Sequence, residues 1–527
     1  MSEMLLRPDD ISFTAAISAC EKCGKVGEGL ALLREFKDRD VAYSLAFVPW
    51  ALARLNVEDP EVIDAAFTEA AQRLEASTHS PRELSTLAWA SAMLGRSHEE
   101  GAQLFRSLSE QVIQQIRDFQ IEDLMLVAWG ASASASDANL SRVIQEEMVL
   151  RLAHGRDLQQ PPQPQPQLQR LDLLPAPSRK KFADCILGVL WACSFGGTLS
   201  EEFLAAARRQ MRRFGRALDG TRLRPELPVR MDMLPVVAKD QLQSEPAVVL
   251  DLSDRLVVFK PPDWEVADQH TELQLSSYLQ ALLGQGNCPI LHDAEHGCGF
   301  LHRLDVPSSG LILAAKTYEA FYDLQVQMAT GQVERDYVIL CRGWVPPALS
   351  HIRAQVSWRE EIANAPLETL GVKTRAGARG KPAQTRLKVL ALASHEVEAL
   401  SLVAVRISTG RRHQIRSHFA HVGHPTVRDG KYTASATFQS DLALCERNFL
   451  HRYRLAFKDA AELRREVVVP VPEDLLEALR AVGLEAKGPD SAQALDTWLS
   501  GLGPRDWDEY KGISARKHDN KNQQQQQ

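Results

Sequence analysis

The sequence predicts a multidomain chain: an all-α helical-repeat solenoid in its N-terminal part, then a segment in which strand and helix patterns mix. Trp50-Ala51-Leu52-Ala53, Trp89-Ala90-Ser91-Ala92, Trp129-Gly130-Ala131-Ser132 and Trp191-Ala192-Cys193-Ser194 recur at spacings of 39, 40 and 62 residues. Periods near 40 with two helical patterns each describe stacked helix pairs. From about residue 247 the pattern changes to short apolar runs that suit strands, at 256–259, 311–315, 333–341 and 399–407. A chain of 527 residues also exceeds what one core supports, and its 44 % hydrophobic and 24 % charged residues are those of folded domains rather than of a disordered or collagenous chain.

The repeat array is expected over residues 1–157 and again over 179–235. The long third spacing has a local cause: Gln159-Gln160-Pro161-Pro162-Gln163-Pro164-Gln165-Pro166 and its flanks cannot pack, so 158–178 is read as a disordered insertion. Trp at a repeated position is most simply a core residue. Ile11-Ser12-Phe13-Thr14-Ala15-Ala16-Ile17-Ser18-Ala19-Cys20 through Leu33-Arg34-Glu35 resembles a pentatricopeptide repeat, and the Trp-centred units resemble the related repeats of organellar RNA proteins. The resemblance implies helices that grip RNA, with protein docking or plain scaffolding as the alternative. Met1 to Asp10 shows no charged-then-apolar leader, and no apolar run reaches the roughly 18 to 20 residues of a membrane-crossing helix. The stretch 486–527 is mostly polar, ends in a Lys, Asn and Gln run, and is expected to be disordered.

The most informative run is Gly299-Phe300-Leu301-His302-Arg303-Leu304-Asp305-Val306-Pro307-Ser308-Ser309-Gly310. It sets a carboxylate beside an arginine in a turn-rich loop that leads into the apolar strand Leu311 to Ala315. The plain reading is that Asp305 caps a turn with Arg303 as its solvated partner. Against it stands the resemblance of this run to the catalytic signature of RluA-type pseudouridine synthases, with Ser308 where the family commonly has Thr. The family's other segments follow in order. Leu250-Asp251 to Lys260-Pro261 is similar to its opening strand, and Gln332 to Leu340 to its Tyr-bearing strand. Gly380-Lys381-Pro382-Ala383-Gln384-Thr385 resembles its K-x-A-x-T segment, and Ser408 to His418 with Gly423-His424-Pro425, Asp429 and Tyr432 its last motif. Asp336 stands where the family has a basic residue, and Arg428 where it has Gly. A Gly there suits a positive φ, which Arg adopts only with strain.

The resemblance covers about 247–480 and implies an α+β catalytic domain over 247–485, with a mixed, largely antiparallel central sheet and flanking helices. It implies isomerisation of uridine in RNA to pseudouridine, without a cofactor, by a carboxylate working at an electron-poor sugar carbon. Asp305 is then the catalytic carboxylate, and Arg411 or Arg416 the guanidinium that keeps it ionised. Tyr337, otherwise a core aromatic, packs on the target uracil, and Arg303 takes the flipped nucleotide's place or binds a flanking phosphate. His302, Lys260, Arg412, His413, Gln414 and Ile415 complete the expected RNA-binding set. The residues themselves predict a helix over 411–422 with Ile415, Phe419 and Val422 as its buried stripe.

Local charge supports an RNA partner: in a chain of net charge −7, the stretches 401–433 and 373–388 carry a large cationic excess, although such runs are often only solvated faces. Cys20 with Cys23, and Cys288, His292, His296 and Cys298, are not read as metal sites, and scattered cysteines suggest a reducing compartment. The repeat type points to mitochondrion or chloroplast, cytoplasm or nucleus being the alternative. A catalytically decayed RNA-binding protein and a glycosidic hydrolase are the competing functions; the second lacks an evident second carboxylate other than Asp429. Nothing in the sequence indicates the RNA, the uridine or the oligomeric state.

Overall fold

Between positions 10 and 220 the described residues hold the helices α1 (Asp10–Lys22), α2 (Val26–Lys37), α3 (Phe47–Arg54), α4 (Pro60–Ala76), α5 (Pro81–Leu94), α6 (Glu99–Gln114), α7 (Ile121–Ala133), α8 (Ala138–His154), α9 (Ala176–Phe195) and α10 (Glu201–Gly220). The computed structural model describes residues 10–23, 25–37, 44–55, 57, 59–94, 99–133, 137–154, 176–220, 245–267, 271–284, 288–358, 374–377, 380–396, 398–483, 486–501, 507–508 and 512–513. Two compact units result: 1–210 with 358–373 and 378–381, and 211–357 with 374–377 and 382–527. The Pro/Gln tract lies outside the described residues up to 175, and Ala176 already begins α9.

In the first unit alternate helices stack, α3 on α5 on α7 on α9 and α4 on α6 on α8. Small residues make the stacking close: Ala51, Ala88, Ala90 and Ala128 are buried, and a Cβ on Gly130 would stand 2.7 Å from the Ala88 carbonyl oxygen. The repeated tryptophans are a correction. Trp50, Trp89, Trp129 and Trp191 are only half-buried, because an indole does not fit where the helices approach on alanine and it lies at the flank of the seam. Polar side chains close the turns between repeats: Gln111 donates to the carbonyls of Leu74 (2.7 Å) and Ser77 (2.9 Å), and Arg151 to that of Phe119 (2.8 Å).

The second unit holds β1 (Ala247–Asp251), β2 (Arg255–Lys260), β3 (Ser309–Ala315), β4 (Glu334–Arg342), β5 (His351–Arg353), β6 (Gln355–Trp358), β7 (Thr374–Gly377), β8 (Gln384–His395), β9 (Glu398–Ile407), β10 (Leu450–Lys458) and β11 (Arg464–Val468). Its helices are α11 (Leu275–Leu283), α12 (Tyr318–Ala329), α13 (Gln414–His421), α14 (Ser435–Ser440), α15 (Glu473–Gly483) and α16 (Pro489–Leu499). The large sheet runs β1-β2-β3-β10-β4-β9-β8-β5, with β11 beside β10; β6 pairs with β7. β3 and β10 are parallel and the other neighbours in the large sheet antiparallel, which is the mixed, largely antiparallel sheet expected. β2, β3 and β4 are buried almost throughout, so their apolar runs lack a polar face. Helices α15 and α16 cover β8, where Leu475, Leu479, Leu495 and Trp498 join Leu390, Leu402 and Tyr453 in one core. Each such side chain taken fully from water contributes about 1.5–3 kcal/mol.

Two expected boundaries move. The break foreseen after 235 falls inside α10, because from Met211 the helix packs on α12: the Asp219 carboxylate accepts the N–H groups of Tyr318 and Glu319 (3.1 Å each) and Arg212 binds Asp323 (3.0 Å). The stretch from 486 is not uniformly disordered. α16 is part of the core, and Trp507 is buried with Arg406, Lys388 and Arg386 at 5.0, 5.1 and 5.6 Å from its ring. Sparse apolar residues in a polar stretch suffice once an aromatic finds a cationic shelf. Residues 514–527 lie outside the described residues.

Candidate active site

Asp305 stands in the loop that enters β3, and that loop is strapped from both sides. Lys260, the last residue of β2, donates from Nζ to the carbonyls of Val306 (3.1 Å), Pro261 (2.9 Å) and Trp264 (2.7 Å). The Asp263 N–H donates to the same Val306 carbonyl (2.8 Å). Arg447, held by Asp474, donates to the Pro307 carbonyl and to Ser309 Oγ, both at 3.1 Å. Burial, then the neighbouring Arg447 charge, pushes the Lys260 ammonium down to about 7. Lys260, expected among the RNA-binding residues, is fully buried and turned to backbone, where it struts the loop. At the loop's end Gly310 has φ +130°, and a Cβ there would meet the Arg452 carbonyl oxygen at 2.3 Å, which no side chain tolerates.

Arg416 decides the charge of Asp305. Helix α13 begins at Gln414 rather than 411, with His413 before it in the left-handed region (φ 51°). This start swings Arg416 inward. Its Nη1 donates to Asp305 Oδ2 at 2.6 Å, while Nε and Nη2 fork onto Asp429 at 2.7 and 2.6 Å. Arg411 instead donates from Nε to the Pro382 carbonyl (3.2 Å), and burial lowers it to about 10. Of the two candidates, Arg416 is therefore the partner of Asp305. Burial alone would raise the Asp305 carboxyl, but Arg416, with His413 and Arg303 adding to it, holds the group below the ordinary carboxylate value. Burial likewise disfavours the charged Arg416, and the two carboxylates more than offset this. His413 Nε2 lies 3.7 Å from Asp305 Oδ1; burial, only partly opposed by Asp305, pushes the imidazole down to about 4, so it faces the carboxylate neutral at pH 7.

Asp429 is fully buried, and its carboxylate also accepts from Thr426 Oγ1 and the Lys431 N–H, both at 3.0 Å. A carboxylate so committed to Arg416 is not placed as the second acid of a glycosidic hydrolase. Arg428 just before it has φ 58°, the strained geometry anticipated for a non-glycine there. The position is held by Nη1 on the Phe438 carbonyl (2.5 Å), Nε on that of Glu446 (3.3 Å) and the Phe438 ring 3.8 Å away.

On β4, Arg335 and Tyr337 share one face and Asp336 takes the other. Tyr337 is 2 % exposed and its hydroxyl accepts from Arg452. Asp336, opposite, is clasped by Arg406 (2.6 and 2.7 Å) and Arg454 (2.7 Å). The exchange of a basic residue for Asp336 is thus absorbed on the face away from the phenol. The pairing of β10 with β4 slips by one residue between His451 and Arg454, so Arg452 and Arg454, two apart in sequence, reach opposite faces.

The remaining expected RNA contacts divide. Arg303 and Arg412 are exposed, and His302 Nδ1 accepts from Arg452 (2.7 Å). Gln414 is buried, donating to the Gln384 carbonyl (3.0 Å) and accepting from Thr409 Oγ1 (2.8 Å), so it closes the strand-to-helix turn rather than meeting RNA. Ile415 and Phe419 form the buried stripe, while Val422 lies past the helix end, half-buried. Much of the local cationic excess is used within the protein: Arg406, Arg416 and Arg428 have the partners just given, and Lys388 donates to the Trp507 carbonyl (2.6 Å). His296 binds Asp293 (3.0 Å) and Tyr322 (3.2 Å), a buried polar cluster outside the site. Sequence reasoning missed Arg447 and Arg452 and did not see Asp429 as the anchor of Arg416; the one available signal was an unusual density of Arg and His in the apolar run 447–455.

Residues 254–421 match the family model described as RNA pseudouridylate synthase. The ribosomal large subunit pseudouridine synthase D of Neisseria meningitidis is 29 % identical over 266 residues, covering 49 % of this chain and 67 % of that protein. The synthase of the same description from Nitrosomonas europaea is 27 % identical over 251 residues, covering 46 % and 67 %. Among solved structures, human RNA pseudouridylate synthase domain containing 1 is similar at 24 % identity and a TM-score of 0.34, covering 43 % of this chain and 84 % of that one.

Proposed function

We propose that the chain, whose residues 254–421 match the RNA pseudouridylate synthase family model, isomerises uridine in RNA to pseudouridine and that Asp305 is the carboxylate it uses. The bond from the ribose carbon to the base nitrogen breaks while the carboxylate serves the electron-poor sugar carbon, the base turns, and that carbon bonds to carbon 5; the carbon 5 proton then leaves with help from Tyr337, and the freed nitrogen takes up a proton, so the net change is an isomerisation. The observation that carries this reading is the ionised Asp305 held by Arg416, whose other side is anchored on the fully buried Asp429. A carboxylate that stays charged when an inserted base excludes water is what the first bond cleavage requires.

The target uridine is unreachable within a helix and is turned out of it. Arg303, exposed two residues before Asp305, fills the vacated place or binds a flanking phosphate, and exposed Arg412 adds a second phosphate contact. Tyr337 packs on the uracil. With its ring 2 % exposed in the unliganded protein, that contact requires the side chains above it to move aside. Ribosomal RNA is the substrate class supported by the relatives, which are named as ribosomal large subunit synthases. The N-terminal helices serve to grip the RNA and narrow the choice of uridine.

The test is to incubate the purified protein with ribosomal RNA transcripts and map pseudouridine, comparing wild type with Asp305→Ala and Asp305→Asn. Both substitutions abolish product while RNA affinity stays within about tenfold, or about 1.4 kcal/mol. Turnover by Asp305→Ala refutes the assignment.

A further inference from the structure

Arg452 is the least expected group near the site, and it touches both halves of it. The one-residue slip between β10 and β4 turns its side chain toward Tyr337 instead of leaving it with Arg454 on the other face. It is 1 % exposed. Nη1 donates to His302 Nδ1 at 2.7 Å and to the Leu311 carbonyl at 2.9 Å; Nη2 donates to the Tyr337 hydroxyl oxygen and, at 3.4 Å, to the Arg303 carbonyl. One planar fork thus spans the phenol on β4 and residues 302–303, two to three positions before Asp305.

Two features separate this from an ordinary buried arginine. First, among the described residues none of its hydrogen-bond partners is a carboxylate, although a guanidinium does not shed its proton in a protein. A buried charge costs several kcal/mol unless well compensated, so its retention against neutral acceptors is expensive for stability alone. Arg335, two positions before Tyr337 on the same face, is 2 % exposed and among the described residues donates to the carbonyls of Ile407 (3.5 Å) and Ser408 (3.3 Å), with no carboxylate among these acceptors, so a second cation beside the phenol is in the same condition. Second, a guanidinium only donates. The Tyr337 oxygen must accept from it, which fixes where the phenol's own hydrogen can point, and His302 must present an unprotonated Nδ1. A charge-assisted bond of this kind is about twice as strong as a neutral one.

We propose that Arg452 is a positioning residue for the isomerisation, holding the Tyr337 phenol at a fixed distance and orientation relative to the Asp305 loop. It does not meet the RNA. The inference rests on the function proposed above and adds to it the group that registers its two functional side chains against each other. Gly310 belongs to the same device: the close approach of its backbone to Arg452 brings β10 near enough for the fork to reach His302.

The experiment is a double-mutant cycle in single-turnover pseudouridine formation, enzyme in excess, using wild type, Arg452→Met, Arg452→Lys, Tyr337→Phe and the two combinations, with RNA affinity and urea unfolding measured for each. Misplacing a reacting group by 1 Å costs about a hundredfold in rate. Arg452→Met therefore loses about a hundredfold or more in rate while RNA affinity stays within about threefold, the condition of a group that never touches substrate. Arg452→Lys keeps the charge without the fork and recovers only part of the loss. In the Tyr337→Phe background both Arg452 substitutions cost no further rate, because the acceptor they act through is gone. Arg452 variants with wild-type rate, or losses that multiply in full with that of Tyr337→Phe, overturn the proposal. Should Arg452→Met not fold, the Lys pair closes the same cycle. A wild-type protein that makes no pseudouridine instead removes the proposed function; wild-type activity abolished by Asp305→Ala but untouched at position 452 removes this inference alone.

Discussion

Replacing Arg416 by Met separates what the guanidinium does for stability from what it does for Asp305. Its head group is shared by two carboxylates, Asp429 with no exposure and Asp305 with 19 % side-chain exposure, at 2.6 to 2.7 Å. Removing one member of such a buried pair leaves an uncompensated charge and costs about 3–5 kcal/mol. In the double variant Arg416→Met with Asp429→Asn no orphan charge remains behind the site, and the amide still accepts the Lys431 N–H, so most of that loss returns. Catalysis does not return with it. Without Arg416 the burial of Asp305 loses its main opponent, the carboxyl rises above its ordinary value of about 3.9, and the acid limb of the pH–rate profile moves to higher pH in both variants. Urea unfolding at pH 7 and a pH–rate profile measure the two quantities. A single variant as stable as wild type, a double variant no more stable than the single, or an unmoved acid limb refutes the reasoning.

Two further outcomes are expected. His413 and His418 are pushed to about 4 and His451 to about 3 by burial, below the unfolded value of about 6.5, so between those limits the unfolded chain binds more protons and stability falls on acidification from pH 6.5. Each contributes a slope of up to about 1.4 kcal/mol per pH unit, and His418→Gln, read by urea unfolding at pH 6.5 and 5, flattens the total by one such increment; an unchanged slope rules its share out. At position 428 the left-handed backbone penalises any side chain by about 1–2 kcal/mol, so Arg428→Gly is more stable than Arg428→Ala by that amount, yet both fall below wild type because the bonds to Phe438 and Glu446 are lost. A glycine variant more stable than wild type shows that those contacts do not compensate the strain.

What the sequence makes legible follows from how local each signal is. Strand runs such as Leu311 to Ala315 are apolar because both faces are covered, and they announce themselves without knowledge of partners. The positive φ of Arg428 was equally readable, since a turn's backbone demand is set by its immediate neighbours. The choice between Arg411 and Arg416 was not, because it depends on where α13 starts, and Gln414 fixes that by bonding to Thr409 and Gln384. Arg452 was invisible for a related reason. Regular alternation puts it on one face with Arg454, and only the slip against β4, a property of two strands together, separates them. The tryptophans of the repeats show the converse error: regular recurrence was taken for burial, when the alanines beside them make the contact.

The parallel seam of β3 with β10 joins Ser309 to His451, and the Tyr337 to Arg452 and Asp305 to Arg416 contacts span 115 and 111 positions. At translation speeds of about 5–20 residues per second, a ribosome needs roughly 7 to 28 seconds to go from the first of those strands to the second. Arg416 emerges only in the last quarter of that interval, and Arg452 only at its end. The middle of the central sheet therefore closes only once synthesis has passed β10.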